Sequence, residues 1–295
     1  MRKLFAPLFL FTMALAVPAM ADNIVYDSLP SPTPYSVPSV GFEALSASEF
    51  GQGVQLQGNT GATLTSATVL MDNWAMESQW PTVGTSAGYN VPLTLNLYNV
   101  GADDTVGSLI ATDTISALIQ WQPAYSTSSA CQTIDNAPGG YANQAWLAPD
   151  NNCYFGLAQT VTFSLANIAV PGQFIWGLAF NTETAGYDPT GVAGPYDSLN
   201  LGLNSNPDGT DPFSPSVGSD LVAGSLYWNT SYAGFYTNPS ATPGVFQQDT
   251  DWAPYDPAIA FSAATAVPEP SLLWPVGLGF VCLIAVRYKF HKQAA

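Results

Sequence analysis

Carboxylates are the only side chains charged at neutral pH with which the central part of this chain can do chemistry. The 295 residues hold 21 Asp and Glu, five Lys and Arg and one His. All six basic residues lie at the two ends, as Arg2, Lys3, Arg287, Lys289, His291 and Lys292. The stretch from Asp22 to Ala266 therefore has no cation at all and carries twenty of the acids, Glu269 being the other. Without Lys or Arg there is no phosphate clamp and no counterion release, which excludes nucleic acid as a partner. Without His there is no Ser-His-Asp or Cys-His arrangement and no His-containing zinc site. Lysine Schiff bases are excluded as well. What twenty carboxylates can still do is hold a hard cation or act in pairs on a glycosidic bond.

Both possibilities are testable against spacing. Asp208-Gly209-Thr210-Asp211 and Asp249-Thr250-Asp251 place oxygens close together in loop-like sequence, as does Asp103-Asp104, so Asp208, Asp211, Asp249 and Asp251 are the candidate Ca²⁺ ligands. None of these fits an EF-hand or a nonapeptide calcium repeat, and Asp is also a standard turn residue. The two readings stay open side by side, and no other cofactor is expected. No motif singles out two carboxylates as an acid and a base, so the chain is read as a non-enzyme, with a carboxylate-based glycoside hydrolase as the remote alternative.

Two further groups of residues have chemical potential. Cys131 and Cys153 are the only cysteines between the ends, Cys282 lying in the terminal apolar run. In an oxidising compartment an isolated pair reads as a disulfide. Aromatics crowd Tyr227, Trp228, Tyr232, Phe235 and Tyr236, followed by Trp252 and Tyr255. Exposed Tyr227, Trp228, Tyr232, Trp252 and Tyr255 would stack on sugar rings, which suits a neutral polysaccharide. The same residues equally suit core packing in a β-sheet protein.

The elements that must position these residues read as strands. Leu93, Leu95 and Leu97 alternate with polar residues, as do Val161, Phe163 and Leu165, and Leu199, Leu201 and Leu203. Phe174 to Phe180 is apolar on both faces, which predicts a central strand. Weaker strand candidates are Ile24–Tyr26, Val54–Gln57, Leu64–Met71, Leu109–Ile119, Leu226–Trp228 and Ile259–Phe261. Pro30, Pro32, Pro34 and Pro38 exclude a strand between them, and no long amphipathic helix is apparent. The pattern predicts an all-β fold over 22–262, an antiparallel β-sandwich of which the jelly roll is one form. Residues 263–266 read as a linker of small residues.

The two ends carry membrane-handling signals. Arg2-Lys3, an apolar stretch from Leu4 to Val17 and Ala19-Met20-Ala21 form a signal peptide over 1–21, cut before Asp22 by signal peptidase. At the other end, Val267-Pro268-Glu269-Pro270 precedes an apolar run from Leu272 to Val286 and the basic residues Arg287, Lys289 and Lys292. As a helix, 272–286 would be about 22 Å long, against a hydrocarbon core of roughly 30 Å, unless Tyr288 and Phe290 extend it. The basic end should stay cytoplasmic, which puts the body outside. A plain membrane anchor is the alternative reading, but it leaves the Pro-Glu-Pro without a role.

The order of motif, apolar helix and basic end over 267–295 resembles the PEP-CTERM sorting signal of Gram-negative bacteria. The resemblance implies export through the inner membrane, processing by an exosortase-type membrane protease, and residence in the envelope, at the cell surface or in an extracellular, polysaccharide-rich matrix such as a biofilm. In the body, Val40-Gly41-Phe42-Glu43-Ala44, Ser48-Glu49-Phe50-Gly51, Leu95-Asn96-Leu97-Tyr98-Asn99-Val100, Gly107-Ser108-Leu109-Ile110-Ala111-Thr112 and Pro195-Tyr196-Asp197-Ser198-Leu199-Asn200 look like segments of secreted bacterial proteins. That likeness implies a secreted β-rich domain and no particular activity.

Overall fold

Period-two alternation along the chain becomes a series of antiparallel strands. A computed structural model describes residues 21–132, 143–205, 214–253 and 255–265. The strands are β1 (Ala21–Asp27), β2 (Ser39–Gly41), β3 (Ala47–Gln55), β4 (Ala62–Asn73), β5 (Tyr89–Val100), β6 (Val106–Ile119), β7 (Trp146–Leu147) and β8 (Cys153–Tyr154). They continue as β9 (Leu157–Val170), β10 (Gln173–Ala179), β11 (Leu199–Asn204), β12 (Ser219–Asp220), β13 (Ser225–Thr230), β14 (Gln247–Thr250), β15 (Asp256–Pro257) and β16 (Ile259–Thr265). The one α-helix among the described residues is the single turn α1 (Ser129–Gln132).

Two sheets account for all but one hairpin. In the first, β4 is bordered along its length by β9 and on its other edge by β16 and β11 in succession, with β1 beside β16, and β2 and β15 beside β11. The second has the order β14-β13-β3-β10-β5-β6, with β12 also against β3. The long strands cross between sheets repeatedly: β3 lies in the second, β4 in the first, β5 and β6 in the second, β9 in the first and β10 in the second. The small β7–β8 hairpin is tied to α1 by the Cys131–Cys153 disulfide, with Cα atoms 5.4 Å apart.

One core lies between the two sheets, which makes the fold a β-sandwich. The second sheet contributes Phe50, Leu93, Leu95, Leu97, Phe174, Trp176, Leu178 and Trp228, all buried. The first contributes Leu64, Val69, Met71, Phe163, Leu201, Ile259 and Phe261. Phe174 meets Phe261 across the gap in an edge-to-face contact at 5.1 Å. Burying one such side chain stabilises the fold by about 1.5–3 kcal/mol, and with no cation in the body this apolar term must dominate.

The alternation of β5, β9 and β11 is where the sequence places it, and β10 is central, between β3 and β5. Two boundaries are corrected. β16 runs on to Thr265 and Ala263 is buried opposite Leu64, so 263–265 is strand rather than linker. β3 begins at Ala47, well before the expected Val54. Ala21 already belongs to β1, while the rest of the expected signal peptide and the whole of 267–295, including 272–286, Val267, Pro268, Glu269, Pro270, Arg287, Lys289 and Lys292, lie outside the described residues. Among the described residues no helix is long and apolar enough to cross a membrane.

Candidate functional site

The most elaborate polar site is built on the outer face of the second sheet, around Glu49. On β3, Phe50 and Val54 face the core, so Glu49, Gly51 and Gly53 face outward. Register brings Gly177 of β10 opposite Gly51, and Asn96 and Tyr98 of β5 opposite Gly177 and Ile175. The glycines make a floor. A Cβ on Gly177 would collide with Glu49 Oε1, so the carboxylate lies flat over that backbone.

Three donors converge on this carboxylate. Asn96 Nδ2 donates to Oε1 at 2.9 Å, and Tyr98 donates to Oε1 at 3.0 Å and Oε2 at 3.2 Å. Tyr187, in the loop after β10, donates to Oε2. Glu49 is fully buried, whereas Tyr187, whose hydroxyl caps it, is 59% exposed. Burial raises the proton affinity of Glu49, and the bonds from Tyr187, Asn96 and Tyr98 oppose that only in part. Burial and the nearby Glu49 also push the hydroxyls of Tyr98 and Tyr187 well above the ordinary tyrosine range, so both remain donors. The result is a carboxyl group under an exposed aromatic ring, with a polar rim. Such an array can hydrogen-bond and stack. For glycoside hydrolysis it supplies one carboxyl group, and none of the interactions that shift Glu49 comes from a second carboxylate.

A second polar cluster joins the sheets near β12 and β15. Tyr26 donates to Asp220 Oδ1 at 2.7 Å. Burial, and then the negative charge of Asp220, pushes Asp256 up to about 7, and its Oδ1 is buried without a partner. Asp220 is likewise raised by burial, against the bond from Tyr26. No cation in the body is available to neutralise this pair.

The aromatic surface expected at 227–255 is corrected. Tyr227 is fully buried and Trp228 1% exposed. They point to opposite faces of β13, as neighbours in a strand must. Trp228 enters the core, stacked on Phe50 at 5.5 Å and edge-on to Trp252 and Tyr236. Tyr227 is covered by Phe246 on the outer face and donates to Asp104 O at 2.6 Å. Trp252 and Tyr255 are half-buried against the same core, and only Tyr232 is exposed.

The calcium loop is corrected at Asp249. Its carboxylate is fully buried and accepts from Thr237 Oγ1 (2.6 Å), from the Thr237 and Asn238 amides (both 3.1 Å) and from Trp252 Nε1 (3.1 Å). Burial opposes ionisation there, but these donors outweigh it and hold the group below the ordinary carboxylate range. Its lone pairs are taken by N–H and O–H groups that would face a cation with positive charge. Asp251 is exposed, and Asp208 and Asp211 lie outside the described residues. Among the described residues, no three Asp, Glu, His or Cys side chains gather as a metal site would require.

Glu49, Asn96 and Tyr98 lie in segments quoted above for their likeness to secreted proteins, but neither they nor Tyr187 were read from sequence as a site. A local signal was Gly51 and Gly53 following Glu49 at alternate positions of a strand-like segment. No family model matches this chain, and neither a curated protein nor a solved structure matches it.

Proposed function

We propose that this chain is an exported, non-enzymatic protein of the bacterial envelope or extracellular matrix, with a structural or adhesive role in a polysaccharide-rich surface. The observation that carries the reading is the segregation of charge: every basic residue lies in the two end segments, and the body between them is a cation-free sandwich. The Cys131–Cys153 disulfide suits the oxidising compartment that such export requires. In this reading signal peptidase removes 1–21, the segment 272–286 holds the protein transiently in the inner membrane, and an exosortase-like protease acts at Val267-Pro268-Glu269-Pro270. The repeated crossing of strands between sheets supports the jelly-roll form of the sandwich. Deleting 267–295 tests the sorting step by fractionation. The truncated protein should be lost from the surface fraction and accumulate in the periplasm. An unchanged distribution would remove the role assigned to the tail.

Carbohydrate binding is a second reading, moved by the burial of Tyr227 and Trp228 to the Glu49 site. Tyr187 offers an exposed ring directly above buried hydrogen-bonding groups. Glycan-array binding that disappears in Tyr187→Ala and persists in Tyr232→Ala would support it. Binding to no glycan, or loss in Tyr232→Ala alone, would end it.

A further inference from the structure

We infer that the free edge of β6 is a self-association surface, through which a second copy of this chain extends the second sheet. The inference does not depend on the sorting or carbohydrate readings. β6 is 14 residues long and, among the described residues, pairs only with β5, so its other edge presents unpaired N–H and C=O groups. Its first part is interrupted by register shifts opposite Leu97–Val100, but from Ala111 to Ile119 the ladder is regular. Nine residues at about 3.4 Å each give a straight edge of roughly 30 Å.

Proteins usually blunt such an edge with Lys, Pro, a bulge or a covering segment. The stretch 111–119 has no Pro and no bulge, the body has no Lys to offer, and no described loop bonds to its backbone. β9 approaches β6 without pairing to it, and just past the end of β6 its Gln159 Oε1 accepts from the Gln120 amide.

A self-complementary register selects a second copy as the occupant, at a stretch where the body's own negative charge opposes it least. In a body of twenty acids, this edge carries one, Asp113. A copy of the chain can meet the edge without opposing carboxylates. An antiparallel two-fold pairing of 111–119 with itself is centred on Ile115. It sets Asp113 opposite Ala117 of the copy, Thr114 opposite Ser116 and Thr112 opposite Leu118. Thr112, Thr114, Ser116 and Leu118 are all exposed on the free protein, and Thr–Ser pairs across strands are favourable. The contact is isologous and closes as a dimer.

The test is sedimentation of the exported protein, purified from producing cells, across a concentration series. Hydrogen exchange is followed in parallel. A dimer is expected, with amide protection in 111–119 that rises with concentration. The double variant Ser116→Lys, Leu118→Lys should weaken association by about tenfold or more. Val192→Lys, at an exposed site outside these strands, should leave it unchanged. Near-ultraviolet circular dichroism reports that each variant is folded. A protein that stays monomeric, a dimer indifferent to the two lysines, or concentration-dependent protection confined to another segment would each overturn the inference.

Discussion

Raising the pH from 5 to 8 should destabilise this protein, which is the reverse of the behaviour of a fold held by ion-paired carboxylates. Two groups set the magnitude. Asp72 is fully buried. Its Oδ2 accepts from Trp74 Nε1 at 2.5 Å and Ser39 Oγ at 3.2 Å, and the Val37 amide also faces this carboxyl group. Burial pushes it from the ordinary 3.8 to about 7, against those bonds. Asp256, 2% exposed, is pushed to about 7 by burial and then by Asp220. Below pH 4 both carboxyls are protonated in the folded and unfolded chain alike, and the stabilisation is fully present. As pH rises, the unfolded chain releases these protons first, so the folded state binds more and stability falls until about pH 7. Two pH units in that window correspond to about 2.7 kcal/mol per group, or roughly 5 kcal/mol for both, a large part of a typical total of about 5–15 kcal/mol. Glu49 and Asp220, also raised, act in the same direction. Urea titrations in EDTA from pH 4.5 to 8.5 measure the slope. Asp72→Asn and Asp256→Asn should each remove about half of the part that these two groups supply. In the first, the amide oxygen can take the Trp74 bond. Stability that is flat or rises between pH 5 and 7, or a slope unchanged in both variants, would refute the reasoning.

Three other outcomes follow from the packing. Gly177→Ala drives Glu49 off its floor and away from its three donors, with an expected loss of about 2–4 kcal/mol in thermal or urea unfolding, whereas Gly191→Ala, where a methyl group meets open space, should cost only the roughly 1–2 kcal/mol of its left-handed backbone. Cys131→Ser opens a crosslink spanning 22 residues and should lower stability by about 3 kcal/mol, matched by reduction of the native protein with dithiothreitol. Asp249→Ala strips the acceptor from the Thr237 and Asn238 amides and should cost about 1–3 kcal/mol, while millimolar Ca²⁺ leaves the melting temperature of the native protein unchanged.

The strand framework was legible because its signal is local. Leu93, Leu95 and Leu97 announce one buried face, and the doubly apolar Phe174 to Phe180 announces a strand with neighbours on both sides. Cys131 and Cys153 were legible as a pair because the body offers no other choice. The Glu49 site was not, since Glu49 lies 47 positions from Asn96 and 138 from Tyr187 and meets them only through the register of β3, β10 and β5. Tyr227 and Trp228 misled for a related reason. Crowding along the chain does not reveal that one ring enters the core while its neighbour is covered by Phe246. At Asp249, spacing gives two close carboxylates, but not the loop amides that occupy one of them.

The central claim, that the cation-free sandwich is delivered outside the cell by the two basic ends, is tested most directly by the intact mass of the protein recovered from the surface or matrix of producing cells. The account expects an N-terminus at Asp22 and a C-terminus upstream of Arg287. A chain still running from Met1 to Ala295, recovered soluble from the cytoplasm, would contradict it.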